Sequence, residues 1–390
     1  MSAGSTPARR SVTVIVEPDP SGHRFQAVAN VAAVAGETGD VVLLTSRGAT
    51  RSEQFDVYLN GTEFLAVEEV FDEIYPPTRQ MAAAVAAQAR ARDVSTAVVM
   101  DADQSLKKWF YVARGEFKGL GRRKPRVVFM LTRYPAKLKL SDAVGWKLRI
   151  PKATLAVVAM ATGTLHHVAG FAGREDMAKG WIVRRTRDPE ICTAHSRDRA
   201  AIRAELGLPQ DRRIVGVFGL LTERKNAPLV LDALKVAGLD DVELLLAGSV
   251  QPEVRAWLDA LPETDRRRVI VQDGFLTNDL MDKLVAAVDA CPIALTNNGP
   301  SGIMGKASAA GVPVVTAGSE VRARELVATD GGEVAEMTPE SIGAAIRRVF
   351  ERDPDAPRRN TVPPASAEEF SRNLLGVDAQ GRVIGRGPRR

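Results

Sequence analysis

Short runs of β-branched and aliphatic residues, each followed by a stretch of helical spacing, recur along this chain and then start over halfway. In the first half the runs are residues 12–16, 41–45, 97–100, 127–131 and 155–159; in the second they are 214–218, 243–247, 269–272, 292–295 and 312–315. Apolar strands alternating with helices build a parallel sheet covered on both faces, so the pattern predicts an α/β protein of two doubly wound, Rossmann-like domains in tandem. With 390 residues, 45% of them hydrophobic, the chain has enough apolar material for two cores.

The break between the rounds is written in Arg187-Asp188-Pro189 and in an amphipathic helix at 197–208, stopped by Gly207 and Pro209. The expected organisation is an N-terminal domain at 1–188 and a C-terminal domain at 189–352. A last helix within 353–377 returns to the first domain, and a disordered tail follows at 378–390.

Several function classes are excluded. Residues 1–10 lead into strand-like sequence rather than a signal-peptide core, and the longest apolar stretch, 153–165, is shorter than the roughly 18–20 residues that cross a bilayer. A cytoplasmic protein is expected, with peripheral membrane contact left open. Cys192 and Cys291 are too far apart for a metal knuckle and read as reduced. The net charge of +5 comes largely from clusters such as Arg122, Arg123, Lys124 and Arg126. Without interleaved aromatics these read as solvated surface, not as a nucleic-acid module. Asp19-Pro20-Ser21-Gly22 follows the first strand where a dinucleotide enzyme carries a glycine fingerprint, which disfavours a nicotinamide oxidoreductase. An epimerase or phosphorylase would need another catalytic acid or a cofactor-binding lysine, and no lysine has a pyridoxal context.

Two segments of the second half carry chemistry. In residues 215–229 a strand meets a turn at Gly219, then the pair Arg224-Lys225, then a helix. Two cations at the carboxyl end of a strand suit a diphosphate. The alternative, solvated charges at a helix start, runs against the helix dipole. In residues 295–315 a strand ends in a polar loop, and Gly299, Ser301 and Gly302 let backbone N–H groups approach an anion at the start of a helix. An ordinary loop can have the same letters.

In the first half, Gly22 and His23 lie in the loop after the first strand; the imidazole can orient a second substrate, act as a general base or hold the loop. His166 and His167 fall on a helix-like segment and read as packed or exposed, and His195 as exposed. Asp101 and Asp103 follow a strand end and serve either substrate contact or helix capping. Their Asp-x-Asp lettering sits away from the diphosphate segment, so no metal site is expected.

Together these segments resemble the family 4 glycosyltransferases of the GT-B fold, similar to the glycosyl transferases of group 1. The resemblance runs through almost all of the second half, from the helix before residue 207 to the glycine-x-proline-valine-valine at 311–315 and on to 346. It implies two Rossmann-like domains facing a cleft, a nucleotide-diphosphate sugar in the second domain, an acceptor in the first, and transfer with retention, without metal or cofactor. Arg224 and Lys225 would hold the diphosphate and stabilise the leaving group, beside donor contacts from Gly219, Asn298, Gly299, Ser301, Gly302, Ile303 and Lys306. Gly22, His23, Asp101 and Asp103 would face the acceptor, which is a small molecule, a glycan or a lipid-linked molecule. The family commonly carries two glutamates eight positions apart in the donor loop, and here those positions hold Asn298 and Lys306. That departure gives the alternative reading, an accessory or inactive GT-B protein that binds a nucleotide or a protein partner.

Overall fold

In the computed structural model the described residues are 11–21, 24–134, 140, 143–192, 198–297, 301–353 and 362–384. They divide into two compact units. The first draws on Met1–Ala172, Asp176–Arg187 and Ala367–Arg390; the second on Gly173–Glu175 and Asp188–Ser366.

The first unit alternates strand and helix: β1 (Ser11–Val16), α1 (Arg24–Gly36), β2 (Gly39–Ser46), α2 (Glu53–Tyr58), β3 (Leu65–Phe71), α3 (Thr78–Ala91), β4 (Val94–Val99), α4 (Leu106–Glu116), β5 (Arg126–Leu131), α5 (Ala143–Ala161), β6 (His167–Ala172) and β7 (Val183–Arg187). All seven strands pair in parallel, in the order β3-β2-β1-β4-β5-β6-β7. Residues that alternate along each strand feed opposite cores. Val14 and Val16 of β1 join Trp109 and Phe129 on one face, while Ile15 joins Phe25 and Val28 of α1 on the other.

The second unit holds α6 (Arg199–Leu206), β8 (Arg213–Phe218), α7 (Ala227–Val236), β9 (Val242–Gly248), α8 (Pro252–Asp259), α9 (Glu263–Arg266), β10 (Val269–Asp273), α10 (Asn278–Ala287), β11 (Cys291–Ala294), α11 (Gly302–Ala310), β12 (Val314–Ala317), α12 (Glu320–Thr329), β13 (Gly332–Ala335) and α13 (Pro339–Glu351). Two parallel sheets, β10-β9-β8 and β11-β12-β13, are joined by a parallel bridge between Val215 and Ala290. Five of these helix starts are capped locally: Asp198, Thr277, Ser301, Ser319 and Thr338 accept the N–H three residues on.

The final helix, α14 (Ala367–Leu375), belongs to the first unit. Phe370 stacks on Phe171 at 5.7 Å, and Phe370 and Leu374 are sealed into the cluster built on α1. The last carbonyls of α14 are claimed from the sheet: His167 Nε2 lies 2.7 Å from Leu374 O, and Arg126 donates to Leu375 O at 3.1 Å.

Four sequence expectations are corrected. The strand expected at 155–159 is the last third of α5, because Ala156 and Ala159 pack inward at helical spacing while Val157 points out. The helix-like segment at His166 and His167 is instead the start of β6. The strands β3, β7 and β13 add to those expected; β3 and β7 carry charged residues that hide the apolar run. In the tail, residues 378–384 form a turn rather than disorder, because Asp378 Oδ1 accepts from the N–H groups of Gln380 and Arg382 at 3.0 and 2.9 Å.

Candidate functional site

In the second unit the carboxyl ends of β8, β9 and β11 converge on one turn. Gly219 follows β8 with φ 94° and donates to Ala247 O at 2.9 Å. Opposite it Gly248 has φ 131°, and a β-carbon there would stand 2.0 Å from Gly219 O. Only glycine lets these strand ends approach so closely. The chain then makes a single 3-10 turn, Glu223–Lys225, closed by Asn226 in the left-handed region at φ 51°. Asn226 Nδ2 donates to Ala294 O at 2.7 Å and to Arg224 O at 3.2 Å, which ties the basic turn to the end of β11.

The turn presents Arg224 to solvent and folds Lys225 back over Gly219, its ammonium 3.8 Å from where a β-carbon of Gly219 would stand. Neither cation has a carboxylate partner among the described residues. Burial holds the Lys225 ammonium below the usual lysine range, and burial also pushes the neighbouring Cys291 thiol up to about 12. A partly desolvated cation that lacks a counter-ion is a site for an anion from outside.

The start of α11 supplies a second anchor. Ser301 caps the helix by accepting from Met304 N at 3.4 Å, while the N–H groups of Gly302 and Ile303 find no acceptor among the described residues. A β-carbon at Gly302 would meet nothing within 4 Å, so the space above this helix end is open.

Two buried arginines hold this end in place, and nothing in the sequence singled them out. Arg322 of α12 lies under the loop after β11, donating to Asn297 O at 2.9 Å, to Leu295 O and to Thr316 Oγ1 at 3.3 Å. Burial lowers its pKa to about 10, so it stays charged. Arg174 pairs with Glu325 at 2.7 Å and with Asp188, and donates to Ser301 O at 3.1 Å, gripping the residue that caps α11. A β-carbon at Gly305 would lie 2.5 Å from this guanidinium. Asp188, expected only to form a turn, is thus a counter-ion, its carboxyl raised by burial against the pull of Arg174.

One expected donor contact is corrected: Lys306 does not face the open end of α11. It is buried, with its ammonium on Asp282 of α10 and 2.9 Å from Asn278 Oδ1. A lysine on the inner face of α11 must find an acid within the fold, and α10 provides one. Asn298 and Gly299, expected beside it, lie outside the described residues.

In the first unit the ends of neighbouring strands β1 and β4 place Glu17 and Asp101 around Arg24, the first residue of α1. Arg24 lies 3.0 Å from Asp101, 3.5 Å from Glu17 and 3.2 Å from Asp19. A cavity of about 360 Å3 opens beside them, lined also by Tyr75, Gln104 and Lys108. Burial pushes the Glu17 carboxyl up to about 8, against the pull of Arg24, so this group is mostly protonated at neutral pH and can donate. Glu17 and Arg24 escaped the sequence reading; their only signal was their place at the mouth of the first βα loop.

Asp103 is the second correction. It turns from this cavity to accept from Thr132 N at 2.8 Å, Thr132 Oγ1 at 2.9 Å and Arg133 N at 3.0 Å, and it pairs with Lys152. Nor does it cap α4, whose N-cap Ser105 makes no side-chain capping bond and donates instead to Met81 Sδ. The two aspartates of Asp101-Ala102-Asp103 therefore serve separate cations. Gly22 and His23 lie outside the described residues.

Residues 212–352 match the family described as glycosyl transferases group 1. Among solved structures, the Anabaena protein HepE in complex with UDP-glucose is similar over 93% of this chain and 95% of its own, at 17% identity and a TM-score of 0.57. Sucrose-phosphate synthase from Thermosynechococcus elongatus is similar over 94% and 93%, at 17% and 0.58. A glycosyltransferase from Rickettsia africae is similar over 96% and 95%, at 11% and 0.61. At such identities the likeness is one of fold, the GT-B fold of glycosyltransferases. No curated protein matches the sequence.

Proposed function

We propose that this chain, whose residues 212–352 belong to the glycosyl transferases of group 1 and whose fold is GT-B, transfers a sugar from a nucleotide-diphosphate sugar to an acceptor with retention. The observation that carries the reading is the pair Arg224 and Lys225. Both lie at the carboxyl end of β8, neither is neutralised by a carboxylate among the described residues, and Asn226 ties their turn to the end of β11, the strand before α11. The neighbour solved with UDP-glucose supports a nucleotide sugar as the ligand.

On this reading Arg224, Lys225 and the N–H groups of Gly302 and Ile303 bind the diphosphate. As the bond from anomeric carbon to phosphate oxygen breaks, negative charge gathers on the departing diphosphate, where fixed cations and N–H dipoles already wait. An acceptor hydroxyl attacks on the same face and its proton passes to the leaving phosphate. The charge a divalent metal would supply comes from the side chains, so the reaction is expected to need no metal or cofactor. The acceptor is held in the first unit by Arg24, Asp101 and Glu17, whose protonated carboxyl donates to an acceptor oxygen.

A nucleotide-binding protein without turnover has one observation in its favour. Lys306, at a position where the resemblance calls for a glutamate, is spent on Asp282. Calorimetric titration with uridine, guanosine, adenosine and thymidine diphosphates and their sugars, followed by product analysis, separates the two. Tight binding with release of nucleoside diphosphate supports transfer. Binding with no turnover moves the protein to the accessory reading, and no binding to any member removes the donor site.

A further inference from the structure

The cavity beside Arg24 in the first unit has two unlike sides, and its polar side is largely spent within the fold. Arg24 divides its guanidinium among three carboxylates, with Nε 3.2 Å from Asp19 and Nη1 3.0 Å from Asp101 and 3.5 Å from Glu17. Glu17 Oε1 also accepts from Asp19 N at 3.1 Å. What remains is Glu17 Oε2 and Asp101 Oδ1, neither of which has a partner among the described residues. The first belongs to a carboxyl that burial keeps mostly protonated at neutral pH, so it donates, and the second accepts. Both carboxyls touch the same Nη1, which sets one donor and one acceptor around one point, the combination that answers a single hydroxyl group.

The facing wall offers few hydrogen-bonding atoms. Ile74, Tyr75, Pro76 and Pro77 of the loop after β3 form it with Met81 of α3 and Val112 of α4. The two prolines bring no N–H, and Pro77 O is taken by Gln80 N and Met81 N at 2.9 and 3.3 Å. Tyr75 directs its hydroxyl to Asp19 at 3.5 Å. Ile74 and Tyr75 are left 45% and 56% exposed at this wall, apolar surface that a ring can cover. The cavity of about 360 Å3 is at the small end of the roughly 300–1,000 Å3 range of small-molecule sites, room for one or two rings and not for a chain of sugars. A pyranose carries hydroxyls around its whole rim, and those turned to residues 74–77 would lose water without gaining partners.

We infer that the molecule receiving the sugar is a small alcohol or phenol on an apolar body of one or two rings, the body against the wall of residues 74–77 and the hydroxyl between Glu17 and Asp101. This rests on the reading of the first unit as the acceptor side and adds the acceptor's class.

The test is fluorescence titration of the full chain, without nucleotide, with 2-naphthol and 2-methoxynaphthalene, and competition against bound 2-naphthol by methyl α-glucopyranoside and by glucose 6-phosphate. The expected result is that 2-naphthol binds, that its methyl ether binds about tenfold more weakly, and that neither sugar displaces it. Ile74→Asp should weaken both aromatics about tenfold or more with unchanged Tm, because the side chain is exposed. Asp101→Ala should weaken 2-naphthol to the level of the ether and leave the ether unchanged, a difference that general damage to the cavity would not produce. No binding of 2-naphthol, displacement by either sugar, or undiminished binding by Ile74→Asp overturns the inference. Failure of the transfer reading shows separately, as a chain that binds no nucleoside diphosphate while its cavity still takes 2-naphthol, and it removes the acceptor role. With a nucleotide sugar bound and consumed, appearance of the sugar on 2-naphthol supports the inference, and its appearance on methyl α-glucopyranoside alone overturns it.

Discussion

Lys306 of α11 and Asp282 of α10 form an ion pair that is sealed from solvent, Asp282 completely, with Asn278 completing the ammonium's shell. Removing one partner strands the other charge in the core. Lys306→Met should therefore cost roughly 3–5 kcal/mol in urea denaturation, and Lys306→Met with Asp282→Leu should recover most of it. Lys306→Glu, which writes back the glutamate of the resembling family, should destabilise as severely by setting two carboxylates together. Equal stability of Lys306→Met and wild type would show that the pair is not formed.

Arg224→Ala with Lys225→Ala leaves the fold untouched, because neither side chain holds another element. Sugar transfer should fall by roughly 10²–10⁴ through lost leaving-group stabilisation, with Tm unchanged. Full activity in this variant would remove the donor model, and transfer by the wild type should persist in excess EDTA.

Glu17 binds its proton far more tightly in the folded chain, at about 8, than at the ordinary carboxyl value of 4.5. Between those values the native state holds more protons than the unfolded one, so stability falls as pH rises from about 4.5 and the loss is complete above about 8. Glu17→Gln should remove that slope. Parallel curves of Tm against pH for the variant and the wild type would contradict a buried, protonated Glu17.

His167 moves the opposite way. Burial, helped by Arg184, lowers its pKa to about 3, so the native state refuses a proton that the unfolded chain accepts near 6.5. Stability contributed by the neutral ring is present above about 6.5 and is lost progressively as pH falls toward 3. Hydrogen exchange should show α14 loosening first under acid, because the ring's Nε2 meets Leu374 O. In His167→Gln the acid sensitivity of α14 should shrink.

The parts of the fold that were legible are those whose instructions are local. The strand, glycine turn and helix around Gly219 and the Arg224-Lys225 pair, and the strand, loop and helix around Gly302, each lie within one local phrase and form where the spacing puts them. Residues 155–159 failed because a short apolar run fits a strand or a buried helix equally, and only the packing of Ala156 and Ala159 decides. Lys306, Asp103 and Arg174 were unreadable for another reason: their charged partners lie 14 to 151 residues away along the chain. Arg174 meets Glu325 across 151 residues, and such a pair leaves no trace in the spacing around either member. Glu17 was hidden because its chemistry comes from burial, which only the assembled sheet supplies.

The first unit closes with the last helix of the chain. Phe370 and Leu374 of α14 fill the cluster that α1 opens, some 340 residues earlier in synthesis. A growing chain therefore completes its second unit while the first still lacks a wall, and residues 1–187 made alone would expose the apolar side of α1. Truncation before residue 367 should yield a product that chaperones hold and proteases find, because among the described residues only α14 covers that side of α1.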